Sequence, residues 1–308
     1  MGSKVYFIDL RATLKENFSA KLVRLANTAG LKEIITERDL VALKLHFGEL
    51  GNTAFIRPVY LRQLVQAVRA AGGNPFLTDA NTLYSGTRSD AASHLTTAIQ
   101  NGFAYSVVDA PLVIADGLRG KSEVAVSINR SRFEAVYIGQ EIVESDVFIS
   151  VAHFKGHELS GFGGAIKNTG MGCASRKGKL AQHSTLSPKV ATQDCIGCGE
   201  CAAHCASSAI TLSDELACID AERCVGCGEC ILICPNAAIQ VQWNQSIPIF
   251  LENRVEYTEG VLKNKAGKTL FINFITDVSP ACDCFPANDA PIVRDIGVLA
   301  GTDPVALD

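Results

Sequence analysis

The chain has 308 residues, 47% of them hydrophobic and 19% charged, with a formal net charge of −4. That balance fits a compact folded protein of about two domains and excludes a disordered polyelectrolyte or a basic nucleic-acid binder. No apolar run approaches a membrane span, and the opening Lys4-Val5-Tyr6-Phe7-Ile8 lacks the apolar region of a signal peptide. A cytoplasmic protein without a membrane partner is therefore expected.

In chain order, Val5–Leu10 reads as a strand and Leu14–Thr28 as a helix ending near Gly30. Val41–His46 is a buried strand, and Pro58–Ala71 is a helix with Pro at its start and Gly72-Gly73 beyond its end. A strand at Pro75–Thr78, a helix at His94–Asn101 and strands at Val107–Ala115, Glu123–Ile128 and Asp146–Val151 follow. After a cysteine-rich segment, Phe250–Leu262 reads as a helix, with strands at Thr269–Ile275 and Ile296–Ala300. Alternating strands and helices predict an α/β fold, a parallel sheet with helices on both faces. Because the alternation resumes, the predicted organisation is one body formed by 1–190 and 243–308, with 191–242 inserted as a module. The close at Asp303–Asp308 carries no capping signal, which predicts that the natural chain continues.

Eight cysteines occupy two runs: Cys195, Cys198, Cys201 and Cys205, then Cys224, Cys227, Cys230 and Cys234 with Pro235 after it. This is the spacing of a bacterial two-cluster ferredoxin, in which each run gives three thiolates to one 4Fe–4S cube and its fourth to the other. Cys195, Cys198, Cys201 and Cys234 are assigned to one cluster, and Cys224, Cys227, Cys230 and Cys205 to the second. Gly197, Gly199, Gly226 and Gly228 beside the ligands let the backbone turn tightly. Cys205 is followed by Ala206 rather than proline. Ser207-Ser208-Ala209-Ile210 answers Asn236-Ala237-Ala238-Ile239, so the segment looks duplicated. Structural zinc and disulfides also use closely spaced cysteines, but a doubled run of four suits zinc poorly, and disulfides need an oxidising compartment. Clusters and free thiols together predict a reducing, anaerobic cell. The 191–242 segment holds seven acidic residues against Arg223 alone. This argues against a nucleic-acid partner and suits either a basic redox partner protein or simple solvation.

A second informative stretch, His153 to Asn168, follows the apolar strand ending at Val151. Ligands of open α/β sheets bind beyond the carboxyl ends of strands. Gly161, Gly163 and Gly164 would let backbone N–H groups approach an anion at a helix start, near Lys167 and Asn168. His153 and His157 with Lys155 and Lys167 suggest proton transfer or phosphate binding, against the alternative of a glycine-rich turn with solvated cations. Lys44 and His46 share one strand face and lead into Glu49, while Asp79, Asn81, Arg88 and His94 cluster after another strand. Arg176, Lys177 and Lys179 read as a solvated loop or a phosphate contact. Cys173, Cys282 and Cys284 are candidates for a metal or for inert buried thiols, Cys218 for packing, and Asp283, Asp295 and Asp303 for a cation.

The His153–Asn168 stretch, the two cysteine runs, Cys282-Asp283-Cys284 and the closing Asp295–Asp308 stretch resemble ferredoxin-fused members of the uncharacterised family called domain of unknown function 362. This resemblance covers nearly the whole chain and implies architecture more than reaction. A fainter similarity links His157, Gly161-Phe162, Gly164, Lys167 and His183, with Arg57-Pro58, to the nickel-pincer lactate racemase family. It implies that Lys167 carries a nickel-bearing nucleotide, that His183 binds metal and that His157 moves protons, or more generally a nucleotide or metal cofactor in a phosphate pocket. Near the position of that family's second acid/base histidine this chain has Asn81.

The expected function is an iron–sulfur protein whose two 4Fe–4S clusters pass electrons to or from a small-molecule or cofactor pocket in the α/β body, as an oxidoreductase would. The alternatives are an electron carrier that serves a partner without its own substrate, and a pincer-type isomerase. The catalytic candidates are His157, Lys167, His183, His153, Lys44 and His46. The cofactor-binding candidates are Gly161, Gly163, Gly164, Lys167 and Asn168.

Overall fold

The structure is a computed structural model and describes residues 2–308. The first half runs β1 (Val5–Asp9), α1 (Phe18–Thr28), β2 (Leu40–Lys44), α2 (Pro58–Ala70), β3 (Asn74–Asp79), α3 (Ala91–Gln100), α4 (Tyr105–Val108) and β4 (Leu112–Ile114). A hairpin of β5 (Glu123–Ser127) and β6 (Ala135–Gly139), then α5 (Gln140–Glu144), leads to β7 (Val147–His153). Next come a small hairpin, β8 (Lys155–His157) and β9 (Gly161–Gly163), and two short helices, α6 (Ala165–Gly170) and α7 (Arg176–His183). The cysteine segment contributes β10 (Lys189–Val190), α8 (Glu200–Ala203), β11 (Ile210–Ser213), β12 (Leu216–Ile219), α9 (Glu229–Ile233) and β13 (Ile239–Gln240). The chain closes with α10 (Ile247–Leu262), β14 (Thr269–Ile275), β15 (Gly297–Gly301) and α11 (Pro304–Leu307).

Seven strands form one sheet in the order β1-β15-β14-β7-β2-β3-β4. The run from β14 to β4 is parallel, while β15 is antiparallel to both β1 and β14. The sheet is thus mixed and mostly parallel, a correction to the all-parallel expectation. An antiparallel neighbour needs no helical crossover, and here the loop 276–296 alone separates β14 from β15. Every residue of β7 is buried, as a central strand covered on both faces requires. Val41, Leu43, Val147, Ile149 and Ile272 pack on one face with α1, α2 and α3. Ala42, Phe148 and Phe271 pack on the other with Tyr257 and Val261 of α10 and with the β5–β6 hairpin.

The helices form where local signals agree. Asn17 accepts from Ala20 N to cap α1, Asp90 accepts from Ser93 N to cap α3, and Pro58 opens α2. The predicted strand Val107–Ala115 divides instead. Residues 105–108 make one helical turn, Asp109 takes a left-handed φ of 59° that ends it, and only Leu112–Ile114 joins the sheet. The predicted strand Glu123–Ile128 pairs with β6 outside the main sheet. Among the described residues no helix is long and apolar enough to cross a membrane.

Phe148 is fully buried mid-strand and Tyr105 is more than half exposed. Phe148→Ala should cost about 3–5 kcal/mol and Tyr105→Ala less than about 0.5, read by chemical denaturation; similar losses would contradict this placement of the core.

Candidate functional site

The carboxyl ends of β2, β3 and β7 open onto a cleft with about 1040 Å³ of empty space, part of it open to solvent. Its walls include Lys44 at the end of β2 and His46 beyond it, Asp79 at the end of β3 and Leu83 beyond it, Lys155 and His157 after β7, Gly164 and Lys167 at α6, His183 on α7, and Cys282 and Cys284 from the loop after β14. Five of the six expected catalytic residues therefore meet in one cleft, together with Gly164 and Asn168.

Buried charges in this cleft are paired, as low dielectric demands. Lys44 Nζ bonds Asp79 Oδ1 at 2.9 Å, Leu45 O at 2.8 Å and Asn168 Oδ1 at 3.0 Å. Asn168 also donates to Lys44 O and Ser150 Oγ, each at 2.9 Å, so its amide orients Lys44. Arg88 spans Asp79 and Glu49 at 3.3 and 3.1 Å and donates to Tyr84 Oη at 2.7 Å. Burial pushes the Asp79 carboxyl up, but Lys44 and His46 beside it hold it well below the usual carboxylate range.

The remaining candidates fall outside the cleft wall. His153 is buried at the end of β7, its Nδ1 2.8 Å from Asp283 Oδ1 and its Nε2 2.8 Å from Thr276 O. Both its ring nitrogens are thus engaged, and it ties β7 to the loop that carries Cys282 and Cys284. Gly161 and Gly163 lie in the β8–β9 hairpin. The α6 N-terminus does not await an anion, because the Asp308 carboxylate accepts from Ala165 N at 2.7 Å and Ile166 N at 2.8 Å. The glycines there serve close approach: a Cβ on Gly163 would stand 2.7 Å from Lys167 Cδ, and one on Gly164 2.2 Å from Asp308 Oδ1. Asn81 is buried on Asp116.

The cleft histidines are set in different tautomers. His157 Nδ1 accepts from Leu159 N and Ser160 N at 3.2 and 3.3 Å, which leaves Nε2 to carry the proton of the neutral ring. His183 Nδ1 lies 2.8 Å from the Lys179 carbonyl and must donate to it, so its Nε2 is the free lone pair. Burial pushes His157 down to about 2 and His183 down to about 4, so both rings are neutral near pH 7. The Cys282 and Cys284 sulfurs lie 2.8 Å apart, and Lys167 donates to Cys282 at 2.8 Å. His46 Nδ1 accepts from Gly48 N, which leaves Nε2 3.5 Å from Cys284 Sγ.

The cysteine segment forms two nests. Cys195, Cys198, Cys201 and Cys234 line one cavity, and Cys205, Cys224, Cys227 and Cys230 line the other. The halves repeat in detail. Gly199 and Gly228, both left-handed at φ 79° and 71°, open α8 and α9. Ala209 N donates to Cys205 and Ala238 N to Cys234, each at 3.2 Å. Leu83 of the cleft wall packs in the same apolar cluster as Cys201, Ile210, Ile231 and Leu180. Arg176 fastens the segment. It is buried, bonds Glu229 at 3.0 Å and donates to Thr82 O and Ser89 O. The basic run is thus not a solvated loop: Arg176 and Lys179 are buried in α7, and Lys177 lies 3.7 Å over the Tyr137 ring. Among the described residues no three His, Cys, Asp or Glu side chains converge tightly enough for a single ion.

Sequence reasoning missed Tyr84, Leu83 and Trp243, which carry no motif, and undervalued Cys282 and Cys284. The acid between those two cysteines was the available signal, because Asp283 is the residue that Lys155 and His153 grip.

Acid sensitivity follows from the buried rings. The unfolded chain takes up protons near 6.5 that His183 refuses until about 4, so stability is complete above the first value and falls as pH drops toward the second. His183→Gln should flatten the loss of melting temperature across that window; an unchanged slope would contradict this burial.

The family described as Domain of unknown function (DUF362) matches residues 41–308. No curated protein matches the chain. Among solved structures, the lactate racemase apoprotein from Thermoanaerobacterium thermosaccharolyticum is similar at a TM-score of 0.47 and 14% identity, over 93% of this chain and 53% of that one. The chain thus spans about half the length of that racemase. With most of its length matched, this α/β protein belongs to the DUF362 family.

Proposed function

We propose that the two cysteine nests each hold a 4Fe–4S cluster and that the clusters exchange electrons with a substrate or cofactor in the cleft. One observation carries the reading: each nest takes three cysteines from one run and its fourth from the other, with Cys234 completing the first and Cys205 the second. Interleaving of this kind is the signature of a two-cluster ferredoxin and has no purpose in two separate zinc knuckles. Backbone N–H groups aimed at Cys195, Cys205 and Cys234 would offset thiolate charge and tune the potential. On this reading residues 191–242 are an inserted ferredoxin-type module, and the rest of the chain is the body it serves.

Nearness supports delivery to the cleft rather than to a partner alone. A Cβ on Gly228, beside the second nest, would stand 3.1 Å from Leu83 Cδ1, and Leu83 lines the cleft. A partner protein would then supply the electrons, and a cytoplasmic, reducing compartment would keep the thiols competent. The pincer reading asks Lys167 to bond a cofactor; its donation to Cys282 favours the redox reading instead.

Anaerobically purified protein should contain about eight iron atoms per chain, falling toward four in Cys198→Ser, with one of two cluster signals lost or altered in electron paramagnetic resonance. Two unchanged clusters in that variant would sink the ligand assignment.

A further inference from the structure

The floor of the cleft carries a pair of thiols that the cluster assignment leaves unused. Cys282 and Cys284 are separated by one residue, and their sulfurs are 2.8 Å apart, close to the roughly 2.05 Å of a disulfide bond. The pair is set on a braced loop. Asp283 between them is fully buried and gripped by His153 at 2.8 Å and Lys155 at 2.8 Å. Tyr84 Oη donates to Cys284 O at 3.1 Å, and the absence of a side chain at Gly156 lets Pro280 O pass 2.1 Å from where a Cβ would stand.

We propose that Cys282 and Cys284 are a redox-active dithiol/disulfide pair, with Cys282 the attacking thiolate, that exchanges with small disulfides entering the cleft. The two sulfurs are not equivalent. Cys282 Sγ accepts from the Lys167 ammonium at 2.8 Å and from Cys284 N at 3.4 Å, which assigns the thiolate to Cys282 and leaves the proton of the 2.8 Å sulfur–sulfur contact on Cys284, whose Sγ faces His46 Nε2 at 3.5 Å. The hydrogen bond from Cys284 holds Cys282 well below the usual thiol range, and although burial opposes this, Lys167 and Lys155 reinforce it. The same hydrogen bond, with burial, pushes Cys284 well above that range. One thiol is thereby kept as the nucleophile and the other as the proton-bearing second thiol.

The chemistry balances. The Cys282 thiolate attacks a disulfide RSSR, forming a Cys282–SR bond and releasing RS⁻. Cys284 then attacks Cys282 Sγ, its proton leaving on that RS⁻ and a second RS⁻ departing as the intramolecular disulfide closes. Two electrons and one proton restore the thiolate and the thiol. That the clusters supply these electrons, one each, rests on the function proposed above; the exchange itself does not.

The chain offers a clean readout. Its tryptic peptide Thr269–Arg294 contains Cys282 and Cys284 and no other cysteine. Protein reduced with dithiothreitol, desalted anaerobically and exposed to hydroxyethyl disulfide should yield this peptide with both thiols protected from alkylation by an internal disulfide. Cys284→Ser should trap a single hydroxyethylthio group on Cys282, and Lys167→Ala should slow capture by about tenfold at neutral pH. Full alkylation of both thiols after exposure, or capture by Cys284 in Cys282→Ser as fast as in the parent, would overturn the proposal. So would a stoichiometric metal ion that is lost in Cys282→Ser. Iron measured on the same sample separates the two readings: an active pair without iron removes the cluster supply, and full iron with an inert pair removes the exchange.

Discussion

One arginine joins the two halves of this molecule. Arg176 sits at the start of α7 with its side chain out of solvent, bonded to Glu229 in the cysteine segment and to the Thr82 and Ser89 carbonyls in the loop after β3. A guanidinium at such a depth depends on its carboxylate, and removing either partner of a buried pair costs about 3–5 kcal/mol. The three pieces it holds are those that matter. The β3 loop supplies Leu83, Tyr84 and Arg88 to the cleft, α7 supplies Lys179 and His183, and Glu229 follows Cys227 and Gly228 of the second nest. Arg119 and Lys121 add weaker, exposed contacts to the same carboxylate. Together with the packing of Leu83 and Leu180 against Cys201, Ile210 and Ile231, this side chain holds the nests against the cleft wall.

Within the cleft, the fixed charges are sorted from the free ones by pairing. Lys44, Asp79, Arg88 and Glu49 form one closed network, and Lys155, Asp283 and His153 another. These groups build the floor and brace it. Outside both networks stand His157 and His183, neutral and in opposite tautomers, and Lys167 bridging to Cys282. A proton donor, a proton acceptor, a cation and a cysteine sulfur thus face one space.

Much of this was legible from residues alone. The grouping of sulfurs around each cavity, three from one run and the fourth from the other, is the grouping that the doubled spacing led one to expect. Lys44 at the end of β2, His46 just beyond it and His157 after β7 reached the cleft because residues at the carboxyl ends of parallel strands converge there, while Lys167 and His183 reach it from α6 and α7. His153 did not, although it ends β7, because its ring turns to Asp283 and the Thr276 carbonyl. The antiparallel β15 was not legible, because a five-residue apolar strand reads the same in either direction. Nor was the capture of the α6 N-terminus by Asp308, a contact across 143 residues that no local pattern encodes.

The central claim is spatial: two clusters, one per nest, with the second flanked by the cleft wall. Diffraction from anaerobically grown crystals, with anomalous differences recorded at the iron edge, tests it most directly. Two iron peaks are expected, one among Cys195, Cys198, Cys201 and Cys234 and one among Cys205, Cys224, Cys227 and Cys230, the latter beside Leu83. A single peak, a cluster bound by cysteines of one run only, or a second nest turned away from Leu83 would contradict it.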